Sequence, residues 1–122
     1  MQENPNATDL VEAINRLTEW WEKLAQQDIN ATVPKAVEYG AYDLDIMGQA
    51  MVALADGMWT GATQEERLAI GREMACAFYL LGKTARIFSA FQRGERPSDD
   101  TWLDVTVYSV MARRIRQTGM WP

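Results

Sequence analysis

The longest uninterrupted helical pattern in this sequence, between Thr63 and Gly94, constrains the fold more than any other feature. Thr63 followed by Glu66 forms a capping box, in which the threonine caps a helix and the glutamate reaches back. No strong breaker interrupts the pattern before Gly94 and Pro97, so it predicts one helix over residues 63–92. Apolar residues cover most of its circumference, which predicts a central helix buried on several sides. These residues are Ile70, Met74, Ala77, Phe78, Leu80, Leu81, Phe88 and Phe91.

Three further helices follow from apolar residues at helical spacing. They are expected at residues 9–26, 34–56 and 100–117, with a polar loop at 27–32 and Pro34 in the first turn of the second helix. The first should be capped by Asp9 and should face the core with one stripe: Leu10, Ile14, Leu17, Trp21 and Leu24.

No strand-like alternation is present, so we expect an all-α, four-helix bundle-like domain over residues 1–122, with a flexible N-terminus at 1–8. A core rich in Trp, Met and Phe on only four helices should leave apolar surface uncovered, which favours a homo-oligomer.

Composition narrows the possible chemistry. The sequence has no histidine and one cysteine, Cys76, which excludes imidazole catalysis and a structural zinc site. A metal ion would therefore be a hard cation on carboxylate oxygens, such as Mg²⁺ or Mn²⁺. The net charge of −5 argues against a nucleic-acid partner. The lack of a membrane-length apolar run and of a secretory signal, together with the single cysteine, predicts a cytoplasmic protein without a membrane partner.

Several carboxylates fall on or beside faces that should be apolar. Glu73 and Asp104 lie among the apolar residues of their helices, while Glu38 and Asp45 share a strip beside the core stripe of the second helix. Buried carboxylates must be paired, hydrogen-bonded or metal-bound. Two interpretations remain open: ion pairs with Lys35, Lys83 or Arg86, or a shared metal site. The basic strip of Arg72, Lys83 and Arg86 is likewise either a solvated face or a phosphate site.

Residues 34–44, 79–87 and 100–108 resemble the MazG-like nucleoside-triphosphate pyrophosphohydrolases, especially small phage-encoded members. The resemblance implies a helical bundle, usually dimeric or tetrameric, in which glutamates of E-E-x-x-E and E-x-x-D motifs hold magnesium. Glu38 matches one glutamate of the first motif, with Ala41 and Tyr42 where another acid would stand. Glu73 matches the first acid of the second motif, and Cys76 stands where its aspartate should be.

These observations together predict a metal-dependent pyrophosphohydrolase that acts on a nucleotide in the cytoplasm. If the protein is phage-encoded, this is the cytoplasm of the host cell. The predicted metal ligands are Glu38, Glu73 and Asp45. Asp104 is the predicted base for the attacking water, and the predicted substrate-binding residues are Lys83, Arg86, Arg72 and Tyr108. Two alternatives remain: a helical oligomer that binds or sequesters a nucleotide without turnover, and a structural or partner-binding helical protein.

Overall fold

A computed structural model describes the backbone of residues 6–39 and 41–122, and the side chains of residues 6–36 and 43–122. All regular secondary structure within these residues is α-helical, which confirms the predicted all-α class. The helices are α1 (Ala7–Tyr39), α2 (Ala41–Leu54), α3 (Gln64–Gln92) and α4 (Asp99–Thr118). None of these described helices combines the length and the apolar character needed to cross a bilayer.

The chain divides into two units, Met1–Pro34 and Lys35–Pro122. The predicted single domain over residues 1–122 therefore stays a prediction. Of the predicted flexible segment 1–8, residues 1–5 lie outside the described residues, whereas Ala7 and Thr8 are helical.

The predicted loop at residues 27–32 is wrong, because α1 continues through it. This segment contains neither glycine nor proline, so nothing in it interrupts a helix. Gln26 Nε2 also donates a hydrogen bond to Asn30 Oδ1 at 3.0 Å, one helical turn away. Pro34 consequently lies inside α1 instead of starting a second helix, and α1 and α2 are described on either side of residue 40, which lies outside the described residues.

Local signals at the other helix ends agree better with the structure. Thr63 Oγ1 accepts a hydrogen bond from the Glu66 N–H at 3.1 Å, which confirms the predicted threonine cap of α3, and the same hydroxyl donates to Glu66 Oε1 at 3.1 Å. Gly119, at φ +81°, ends α4 as predicted, in the left-handed conformation that glycine adopts without steric cost.

The predicted cap of α1 at Asp9 is wrong. Asn6 caps this helix, because Asn6 Oδ1 accepts a hydrogen bond from the Asp9 N–H at 2.9 Å.

Within the unit Lys35–Pro122, α3 packs against both α2 and α4, which agrees with its predicted central position. The core combines small and large side chains from the three helices: Leu44, Met51, Ala75, Cys76, Met111 and Ile115.

The prediction that large apolar residues bury α3 on several sides is wrong. Phe78, Leu81, Phe88 and Phe91 are all more than half exposed. The buried residues of α3 are mostly small: Gly71, Ala75, Cys76, Ile87 and Ala90. Small side chains let the backbones of neighbouring helices come close, so α3 turns this face inward and its phenylalanines outward.

The apolar stripe predicted to face the core from α1 is also exposed. The exposed fractions are 49% for Leu10, 61% for Ile14, 55% for Leu17 and 64% for Trp21, while Leu24 is half-buried. The described part of the unit Met1–Pro34, residues 6–34, contains one helix and no second element that could bury such a stripe.

Helices α2 and α3 approach each other closely at two glycines, Gly48 and Gly71. A Cβ atom placed on Gly71 would collide with the carbonyl oxygen of Gly48 and would lie 2.6 Å from Val52 Cγ2. A Cβ atom on Gly48 would lie 2.9 Å from Arg72 Cγ. Both positions therefore require glycine for the observed packing.

We expect Gly71→Ala to lower the free energy of unfolding by about 1 to 3 kcal/mol, because the added methyl group forces the two backbones apart. Gly82→Ala is the matched control in the same helix, since no atom lies within 4 Å of its ideal Cβ position. That change should raise stability by about 0.5 to 1 kcal/mol through helix propensity. Urea denaturation measures both, and equal effects of the two substitutions would contradict the close approach.

Candidate functional site

Helices α3 and α4 place two pairs of polar side chains side by side. Lys83 Nζ lies 2.8 Å from Asp104 Oδ2, and the rings of Tyr79 and Tyr108 stack with centroids 5.2 Å apart and planes at 13°. Each helix contributes a tyrosine and an ionic residue four positions apart, which places them on one face. Helices α3 and α4 run antiparallel and are joined by a short connection. The register that brings Lys83 to Asp104 therefore also brings Tyr79 to Tyr108. We call these four residues and Arg86 the α3–α4 polar cluster.

The cluster is half-buried and electrostatically coupled. The side chain of Lys83 is 20% exposed and that of Asp104 is 45% exposed. Burial raises the pKa of the Tyr108 hydroxyl above its ordinary value, and the charge of Asp104 adds to this increase. The positive charge of Arg86 acts in the opposite direction on the same pKa. The predicted residues Lys83, Arg86, Asp104 and Tyr108 thus act on one another within a single patch.

Arg72 occupies a different place from the other predicted substrate residues. Its Nε donates to Asp45 Oδ1 at 2.7 Å, and its Nη1 donates to the carbonyl oxygen of Gly119 at 2.9 Å. The side chain of Arg72 is only 14% exposed. Arg72 therefore joins α3 to α2 and to the C-terminal end of α4.

Glu73 and Cys76 lie one turn apart on α3 and interact electrostatically. Burial raises the pKa of the Cys76 thiol from its ordinary value of 9.0 to about 11, and the charge of Glu73 adds to the increase. The thiol is therefore neutral near pH 7 and is not a nucleophile. Glu73 is half-buried and makes no ion pair with any of the described side chains.

The predicted metal ligands are only partly described. The side chain of Glu38 lies outside the described residues, and Asp45 is held by Arg72. Among the described side chains, no group of three or more acidic or cysteine residues is arranged to hold a metal ion. The metal site therefore stays a prediction.

The sequence analysis predicted Tyr108 as a substrate-binding residue but missed its stack with Tyr79. The available signal was spacing: Tyr79 and Lys83 are four residues apart, as are Asp104 and Tyr108. On adjacent antiparallel helices, a contact between Lys83 and Asp104 brings the tyrosines together as well. A periodicity count on one helix at a time does not show this.

Comparison with known proteins identifies no matching family model, no matching curated protein and no matching solved structure.

We expect Arg72→Met to lower the free energy of unfolding by about 2 kcal/mol, because Asp45 and the Gly119 carbonyl both lose a charged donor. The matched control is Glu95→Gln, which breaks the exposed ion pair with Arg93 at 3.3 Å. This control should change stability by less than about 0.5 kcal/mol. Chemical denaturation measures both, and a neutral Arg72→Met would show that the contacts of Arg72 are not stabilising.

The raised pKa of Cys76 predicts a loss of stability in alkaline solution. Below pH 9 the thiol is protonated in both states; between pH 9 and about 11 it ionises only in the unfolded chain. The free energy of unfolding should fall across this window by at most about 2 to 3 kcal/mol. Cys76→Ala lacks this contribution, so its stability should fall less between pH 9 and 11. Parallel stability curves for the two proteins would contradict the assignment.

Proposed function

We propose that the protein binds a nucleotide at the α3–α4 polar cluster and, with Mg²⁺ or Mn²⁺, hydrolyses it with release of pyrophosphate. The observation that carries this proposal is that the Lys83–Asp104 ion pair and the Tyr79–Tyr108 stack lie side by side on one half-buried face. The charge of Arg86 also acts on the pKa of Tyr108 there. A cation, an acid and aromatic rings are the groups that phosphate and base recognition require. The same two helices contain segments that resemble MazG-like pyrophosphohydrolases.

In this proposal, the basic residues bind the phosphate chain. Arg86 is exposed, and its guanidinium can donate two parallel hydrogen bonds to phosphate oxygens. Lys83 is held in place by Asp104 and offers its remaining ammonium protons. Arg72 contributes indirectly, by fixing the position of the Asp45 carboxylate. Tyr79 and Tyr108 supply ring surface against which a base can stack.

The hydrolytic step depends on the acids. Asp104 uses Oδ2 in its contact with Lys83, and its second oxygen remains available to take a proton from water. Glu73, Asp45 and Glu38 are the proposed ligands of the cation, which would neutralise phosphate charge and activate water. The described side chains do not form such a site by themselves, and the side chain of Glu38 lies outside them.

Binding without turnover is the second candidate, and Cys76 favours it. A buried thiol with a pKa of about 11 is neutral near pH 7. It therefore does not supply the anionic oxygen that an aspartate at this position would offer to Mg²⁺. A nucleotide-binding protein with an incomplete metal site would hold its ligand without releasing pyrophosphate.

The proposal predicts different effects for two substitutions. Glu73→Gln should keep or raise the melting temperature without metal, since it removes like-charge repulsion, and should abolish stabilisation by Mg²⁺. It should lower pyrophosphate release from nucleoside triphosphates by about 10- to 100-fold. Arg86→Met should weaken nucleotide binding by about tenfold or more, because a charged hydrogen-bond donor is lost. Calorimetry, melting curves and a pyrophosphate assay measure these effects.

Matched controls are available on exposed surface. Glu95→Gln removes one exposed acid and Arg114→Met one exposed base, and neither should change binding or activity. If a triphosphate binds but pyrophosphate is never released, the hydrolase proposal falls and the binding proposal stands. If no nucleotide stabilises the protein with or without Mg²⁺, both proposals are wrong.

A further inference from the structure

The exposed stripe of α1 has the spacing of a helix-pairing seam. Leu10, Ile14, Leu17, Trp21 and Leu24 are separated alternately by four and three residues, which keeps one apolar line facing a partner helix. The first four are about half exposed or more, and so are two flanking residues, Val11 at 56% and Trp20 at 58%. We call these seven residues the α1 seam.

Charge is excluded from the seam and from its borders. The charged residues of this segment all lie on the opposite face: Asp9, Glu12, Arg16, Glu19, Glu22 and Lys23. The positions on either side of the line from Leu10 to Leu24 carry only uncharged residues, which are Val11 and Trp20 of the seam itself and Ala13, Thr18, Ala25 and Gln27. In paired helices these border positions usually carry the charges that select a partner. Their absence leaves a broad face that a copy of itself meets without repulsion.

We propose that the α1 seam binds the α1 seam of a second copy of this chain. The six exposed side chains offer about 100 Å² each, or roughly 600 Å² per chain. Two chains would together bury roughly 1,200 Å², the area at which stable interfaces begin. A two-fold pairing needs only a self-complementary patch, and a broad uncharged apolar face is one. Asp28 takes the next position of the repeat and ends the seam.

Light scattering on the full chain tests the pairing. At micromolar concentration, we expect the wild type to have at least twice the mass of one chain. Leu17→Glu should halve that mass, since it places a carboxylate in the middle of the seam. Glu19→Gln, on the opposite face of the same helix, should leave the mass unchanged. A monomeric wild type, or a Leu17→Glu variant that remains associated, would overturn the proposal.

Cysteine cross-linking gives an independent readout in case Leu17→Glu disturbs the helix. Cys76 is buried and its thiol is protonated near neutral pH, so we expect it not to react with the cross-linker. With a short bismaleimide, Leu17→Cys should form covalent dimers, whereas Glu19→Cys should remain single chains. Circular dichroism confirms that both variants keep their helical content. Equal cross-linking of the two variants, or none at position 17, would show that the seam does not pair two copies.

Discussion

The close approach of α2 and α3 at Gly48 and Gly71 determines much of the packing around the core. Because no side chain separates the backbones there, the neighbouring Arg72 lies with its Cγ against Gly48. From that position the guanidinium reaches both Asp45 and the carbonyl of Gly119. One backbone contact thus allows a single arginine to connect α3 with α2 and with the end of α4. A larger residue at either glycine would move all three elements.

The sequence predicted the helical class and the ends of α3 and α4 well, because those ends carry strong local chemistry. The hydroxyl of Thr63 and the positive φ of Gly119 act within a few residues, so a local pattern is sufficient. The α1–α2 boundary was predicted poorly for a physical reason. Polar residues at 27–32 suggested a loop, yet polarity alone does not break a helix when neither glycine nor proline is present. Pro34 was then assigned to a helix start that does not exist.

Burial was harder to predict than helicity. A helix that is apolar around most of its circumference does not reveal which side its neighbours occupy, so Phe78 and Phe88 were expected inside. The side of α3 that is buried carries its small residues, since Gly71 and Ala75 leave room for a neighbouring helix to approach closely. Four members of the α3–α4 polar cluster were predicted as site residues, and the ion pair of Asp104 with Lys83 was one of two open interpretations. The stack of Tyr79 on Tyr108 was not predicted. Which residues pair depends on the register of α3 relative to α4, and this register cannot be read from the apolar periodicity of either helix alone.

The outward face of α3 adjoins the candidate site through one aromatic contact. The ring of Phe78, 54% exposed, meets the ring of Tyr79 edge to face, with centroids 6.4 Å apart. Tyr79 in turn stacks on Tyr108, beside the Lys83–Asp104 pair. Any surface that covers Phe78 would therefore remove water from one side of the cluster. Lower local polarity strengthens an existing ion pair and raises the pKa of a tyrosine further.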